Sequence, residues 1–218
     1  MVRLALRIVS IPAKFGLWVS PPSLRPAHAH EVDQALRLEY RTFRAMGICE
    51  ESPNKRIDAY DRYLDQSRFY VADWNGRIAG VLRVIENAPH LPPVREEFET
   101  FPEFVEVTEH PGFEEVGICA VHPLFVNTEL GIHLYRTAWR DAKSRGVTHW
   151  GAITEGWLWR LFAKRYYFTF AQAGPESYYM GAVNYPLVMA FQDVELRMRQ
   201  SDPEMFEWFT SGIPGLAE

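Results

Sequence analysis

Asp58-x-x-Asp61, Gly80-x-x-Arg83 and Glu115-Val-Gly-Ile-Cys-Ala-Val-His-Pro123 follow one another along the chain, with strand-like segments between them. Polar groups in this order can hold an amine beside a thioester. An attacking amine must lose a proton, and a carboxylate acting directly or through water can take it. Glu115 is the first candidate for that base. Glu114 takes its place if the strand register slips by one residue, because such a slip turns every side chain to the other face. Glu155 is a second candidate, with capping of the following helix as its structural alternative. Neither Asp-x-x-Asp nor Gly-x-x-Arg is specific alone. Asp58 could simply cap a helical turn and Arg83 pair with a surface acid, so the information lies in the order and spacing.

Positioning these residues calls for a mixed set of elements. Residues 15–19 read as a short strand that Pro21-Pro22 ends. Val32, Ala35, Leu36, Tyr40 and Phe43 recur at helical spacing over residues 31–46, with Arg37, Glu39, Arg41 and Arg44 among the polar positions. Residues 58–64 add a helical turn. Residues 68–73 and 77–85 flank Trp74-Asn75-Gly76, a hairpin turn. One short helix is expected within 94–104 and a strand over 115–121. A helix over 129–145, closed by Gly146, and a strand over 148–154 then complete a right-handed parallel crossover. Beyond it the pattern predicts a helix at 157–166, strands at 168–173 and 177–181, a helix at 186–199 and a packed tail from about 200. The sum is one α/β domain over 1–218, with an N-terminal segment 1–13, an antiparallel first half and one parallel crossover.

Bulk properties narrow the function. With 218 residues, 47% of them hydrophobic and 23% charged, the chain is expected to build a full core. Its net charge of -5 argues against a nucleic-acid partner, which requires a basic face. Two cysteines, Cys49 and Cys119, suggest neither a disulfide framework nor a cysteine-based zinc site, and fit a reducing cytoplasm. The seven histidines have no metal-ligand spacing, so no metal is expected. Residues 1–20 are apolar and Ala27-His28-Ala29 imitates a cleavage site, but Arg7 and Lys14 interrupt the run and cleavage would remove the first predicted strand. No uncharged apolar run reaches the roughly 18 residues of a membrane span.

The order of elements and motifs resembles the GNAT acyltransferase fold over roughly residues 30–195. Within it, the chain resembles the branch of N-acyl amino acid synthases, ornithine-lipid N-acyltransferases and acyl-homoserine-lactone synthases. Arg41 and Phe43 loosely match an arginine and a phenylalanine on the lactone synthases' first helix. Asp58 and Asp61 match the aspartates of their E-x-D-x-x-D motif, and Gly80 and Arg83 match their Gly-x-x-Arg. Arg56 replaces that motif's glutamate, while Gly117 and Ile118 replace the serine and arginine of the E-x-S-R strand. These departures point away from homoserine lactone as product. Gly174-Pro175-Glu-Ser-Tyr178-Tyr179-Met-Gly181 and Tyr185-Pro186 resemble the N-acyl amino acid synthases instead.

The resemblance implies a mixed, mostly antiparallel sheet flanked by helices, with a splayed central strand pair. It implies no bound cofactor, but an acyl thioester co-substrate on acyl carrier protein or on coenzyme A, and a small amine acceptor. Arg41, Asp58, Asp61 and Arg83 would form the acceptor side. Ala120 and Val121 lie where a backbone amide of the splayed strand would serve the oxyanion, and Val121 joins Glu115 and Glu155 in the catalytic set. The stretch 126–131 keeps only the final Gly131 of the usual pyrophosphate cradle, and Glu129 would repel a pyrophosphate, which favours a carrier-bound donor. Arg136, Arg140 and Lys143 share one helix face that could meet an acidic carrier protein, extended by Arg160, Lys164 and Arg165, unless the face is merely solvated. The expected activity is transfer of a long-chain acyl group to an amino-acid amine without a covalent enzyme intermediate. The alternatives are an acyl-homoserine-lactone synthase, an acetyl-coenzyme A N-acetyltransferase and a non-catalytic acyl-binding module.

Overall fold

Asn75 and Gly76 both adopt positive φ, 53° and 76°, in the computed structural model, which describes residues 21–126 and 128–212. That conformation is the two-residue turn that matches the twist of paired strands. It joins strand β2 (Ser67–Trp74) to β3 (Arg77–Glu86), as the hairpin pattern predicts. The strand expected at residues 15–19 and the apolar start of the chain lie outside the described residues.

The chain divides into two compact units. One holds residues 21–61, Arg68–Arg83 and Ile118–Trp139; the other holds Arg62–Ser67, Val84–Gly117 and residues 140–212. In the first, β1 (Ser23–Pro26) pairs antiparallel with β2, Leu24 opposite Ala72. It begins directly after Pro21-Pro22, in a stretch for which no element was expected. An edge strand tolerates the proline Pro26 at its end, and β1 is the edge. Helix α1 (Val32–Ala45) comes next, and a 3-10 segment over Asp58–Gln66 supplies the expected helical turn.

Strand β4 (Phe113–Val121), which the second unit holds as far as Gly117, pairs in parallel with β5 (His149–Thr154), from Phe113 opposite His149 to Val116 opposite Ala152. The connection runs through a helix, labelled α4 below (Leu130–Ser144), that stops before Gly146 at φ 82°. Strand β5 is antiparallel to β8 (Ala182–Ala190), which also carries β6 (Ala171–Gln172) and β7 (Ser177–Tyr179). The hydrogen-bonded order is β1-β2-β3-β4-β5-β8-β6, with β7 on β8. This is the expected mixed α/β arrangement.

Three elements differ from the expectation. The single helix expected within 94–104 is two, α2 (Pro93–Glu96) and α3 (Pro102–Glu109), each opened by a proline in its first turn, where no amide is needed. The strand expected over 168–173 shortens to β6. Residues 186–190 are strand, not helix. Pro186 lies opposite Ile153 within β8, and its carbonyl accepts the Ala173 amide at 2.8 Å. The branched and aromatic residues Val183, Tyr185 and Val188 suit a pleated surface, and the helix, α6 (Phe191–Ser201), starts only after them. Helix α5 (Gly156–Arg165) is as expected, and the tail packs as α7 (Pro203–Thr210), with the Phe209 ring edge-on to Phe168 at 5.8 Å. Trp139, Trp150, Phe168 and Phe170 are buried core residues. Among the described residues no helix is long and apolar enough to cross a membrane.

Candidate functional site

In the second unit, strand alternation sends the neighbouring carboxylates Glu114 and Glu115 to opposite faces of β4. Glu114 is buried in a forked ion pair with the Arg145 guanidinium, one arm measuring 3.1 Å. Its charge is therefore spent on structure. Glu115 is fully buried, and among the described residues no cation acts on it. The Val94 amide, one of the orphan donors at the start of α2, bonds its Oε2 at 2.6 Å, while its Oε1 has no hydrogen-bond partner among the described residues. Burial pushes the Glu115 carboxyl up to about 8; the Val94 bond pulls it down and the nearby Glu97 adds to the rise. An acid held near neutrality with one uncommitted oxygen is suited to proton transfer. Glu155 follows the last residue of β5 as the N-cap residue of α5, half-buried, and its side chain makes no capping hydrogen bond.

In the first unit, Gly80 and Arg83 have separate reasons for their places on β3. A side chain on Gly80 would come within 3.0 Å of Leu134 and 3.2 Å of Leu130, so the glycine admits α4. Arg83 is 1% exposed. It donates to the Tyr60 carbonyl at 2.7 Å and lies 3.7 Å from Glu39 Oε2. Its guanidinium carbon sits 5.3 Å from the Phe69 ring centre and 5.5 Å from that of Tyr60. Burial lowers Arg83 from its ordinary value, with Glu39, Tyr60 and Asp61 acting against it. Glu39 is equally buried, and burial pushes its carboxyl up to about 8 against the pull of Arg83. Its Oε1 also lacks a hydrogen-bond partner among the described residues.

Of the expected acceptor residues, Arg83 and Asp61 are therefore electrostatically coupled. Asp58 is exposed and accepts from Ser52 Oγ at 2.9 Å. Arg41 is exposed, because residues two apart on a helix do not share a face and Glu39 takes the inward one. Glu39 was missed among the polar positions, although it stands four residues after Ala35 and three after Leu36, on the apolar stripe. Arg56, at the position of the glutamate in the lactone-synthase motif, lies 3.6 Å from Asp33.

On the expected donor side, Ala120 is buried, and Val121 and Gly131 are half-buried. Arg136 is half-buried; burial, aided by the Arg136 charge, holds His133 down to about 4. Arg140 donates to the Gly212 carbonyl at 3.4 Å, and Lys143 pairs with Glu195 at 3.1 Å. Burial raises the thiols of Cys49 and Cys119, the latter up to about 12, so neither is a thiolate nucleophile near neutral pH. A cavity of about 480 Å³, lined by Val107, Val147 and Phe191 with His110, Lys143 and His149, lies at the first-residue end of β5, the opposite end from Glu155.

The two buried carboxyls make stability depend on pH. Both folded values exceed the ordinary carboxylate value of 4.5, so the folded state holds the protons and its advantage is complete below that value and lost as pH rises through 8. His133, lowered from 6.5, works in the other direction only below 6.5. Urea unfolding is therefore expected to show stability falling from pH 6.5 through 8, by on the order of 2 kcal/mol per carboxyl. A flat profile would remove the buried-acid description of Glu39 and Glu115.

No family model and no curated protein matches the chain. Solved structures share its fold. The coenzyme A-dependent acyl-homoserine lactone synthase BjaI, solved with SAM and isopentyl-CoA, superposes with a TM-score of 0.63 at 17% identity, over 82% of this chain and 89% of its own. FeeM, an N-acyl amino acid synthase from uncultured soil microbes, gives 0.60 at 15% identity, over 80% and 93%. A GNAT family acetyltransferase from Brucella melitensis, solved with acetyl-CoA, gives 0.50 at 14% identity, over 78% and 87%. The chain shares the fold of these structures, the expected mixed, mostly antiparallel sheet flanked by helices.

Proposed function

We propose that the protein is an N-acyltransferase that moves a long-chain fatty acyl group from a thioester, carried on acyl carrier protein in the cytoplasm, to the amine of an amino acid. Glu115 is the observation that carries this reading, a buried carboxyl near neutrality with one unpartnered oxygen, in a fold shared with FeeM and BjaI. Glu115 takes the proton as the amine attacks the thioester carbon, and the tetrahedral intermediate expels the thiol. The raised thiols favour this direct route over an acyl-cysteine intermediate.

The test is incubation with acyl carrier protein bearing a long acyl chain, pooled amino acids and detection of amides by mass spectrometry. New acyl amino acids and free thiol in equal amounts are expected. Parallel reactions replace the carrier with acyl-coenzyme A, and the amino acids with S-adenosylmethionine, which BjaI holds in its structure. An acyl lactone with the latter would replace the amino-acid acceptor, and ligand stabilisation with no turnover in any reaction would mark a binding module.

A further inference from the structure

Helix α5 is fixed by its inner face and solvent-exposed along its outer one, where Arg165 also lies over the Tyr166 ring at 5.7 Å. Phe162 stacks on Phe168 at 5.4 Å, and Trp159 donates to the Phe170 carbonyl at 3.2 Å. The exposed positions are Trp157, Arg160, Leu161, Lys164 and Arg165. Their spacing of 0, 3, 4, 7 and 8 residues draws one stripe along the helix, with apolar side chains and cations interleaved. Trp157 is 53% exposed, an unusual placement for so large an apolar surface.

The neighbouring hairpin borders this face, since a side chain on Gly156 would meet both the Tyr185 ring at 3.2 Å and the Arg160 guanidinium at 3.3 Å. The Trp159 ring lies 5.7 Å from that of Tyr185, so Tyr185 points to the α5 side of β8. Val183, two residues before it, shares that side, and so does Tyr178, its cross-strand partner. Both are exposed, Tyr178 by 74%. Strand β8 passes Thr154 at Tyr185, so Val183 and the first turn of α5 leave the same end of the β5–β8 pair.

We propose that this face docks the protein on an anionic lipid surface. Three cations on one helix stripe, in a chain of net charge -5, complement acidic headgroups. Glu176, hydrogen-bonded to Tyr185, is the acid on this side, and Arg160 acts on the same Tyr185 hydroxyl. Trp157 and Tyr178 have the amphipathic rings that settle at headgroup level, and the arginine and lysine stems can cover apolar surface while their charges reach phosphate. An acidic protein partner would be met by the cations alone; the exposed Trp157, Leu161, Tyr178 and Val183 between and beside them are what a bilayer boundary takes up.

Vesicle flotation of the full chain tests this without any need for turnover. Binding is expected to vesicles of phosphatidylglycerol and phosphatidylcholine, to weaken in high salt, and to be absent on phosphatidylcholine alone. The double variant Arg160→Glu/Lys164→Glu should lower the bound fraction at least about tenfold, and Trp157→Ala should weaken binding while unfolding curves stay unchanged, since all three side chains are exposed. Failure to float, or equal binding to both vesicle types, overturns the proposal. So does loss of acyl carrier protein capture, or of a dimer in light scattering, in these variants when vesicle binding is absent, because either assigns the stripe to a protein partner.

Discussion

Glu115→Gln is expected to lower turnover by roughly a hundredfold to ten-thousandfold while leaving the chain folded. The amide matches the carboxyl in shape, and its oxygen can still accept the Val94 amide that opens α2, now met at 2.6 Å. What the variant cannot do is take a proton. The wild-type rate should rise as pH passes about 8, where Glu115 ionises, and the variant's residual rate should lose that rise. Stability moves the other way: the glutamine variant does not pay for a buried charge above pH 8, so it is expected to unfold at higher urea than wild type there. Turnover assays and urea curves on the same preparations separate the two effects. An unchanged rate with every acceptor would exclude Glu115 as the base, and Glu155→Gln would then be the variant to follow.

The parts of the fold legible in the sequence were those fixed by local chemistry. Asn75-Gly76 specifies a turn by its own backbone preference, and Gly146 ends a helix at a φ that other residues rarely adopt. Residues 186–190 misled because helical spacing of apolar side chains and a fully buried strand look alike over a few residues. Hydrogen bonds from distant segments, such as the Ala173 amide to the Pro186 carbonyl, decided between them. The site was legible to the same degree. Glu115 could be picked out as a carboxylate on a strand, but its full burial beneath the start of α2, where the Val94 amide meets it, depends on segments distant in sequence. Glu39 could have been found, since a charge on the apolar stripe of a helix signals a buried partner. Arg41 drew attention by its family match, although helical geometry already turned it away from the face that Glu39 holds.

Arg83→Ala is expected to destabilise the protein by about 3 to 5 kcal/mol in urea unfolding. The substitution empties a fully buried site, ends the contacts with the Phe69 and Tyr60 rings and leaves the Tyr60 carbonyl without this donor. The part of that loss due to Glu39 depends on pH, because Glu39 carries little charge below its value of about 8. Glu39→Gln should therefore be nearly neutral at pH 6.5, and a double-mutant cycle with Arg83→Ala should return a coupling close to zero there. Above pH 8 the carboxylate ionises 3.7 Å from the guanidinium, and the coupling should grow to on the order of 1 to 3 kcal/mol. Arg83→Lys, which retains a charge but not the planar group stacked between two rings, keeps the cycle measurable if the alanine variant does not fold. A coupling on the order of 1 to 3 kcal/mol at both pH values would mean that Glu39 is ionised throughout, and that Arg83 rather than burial sets its protonation.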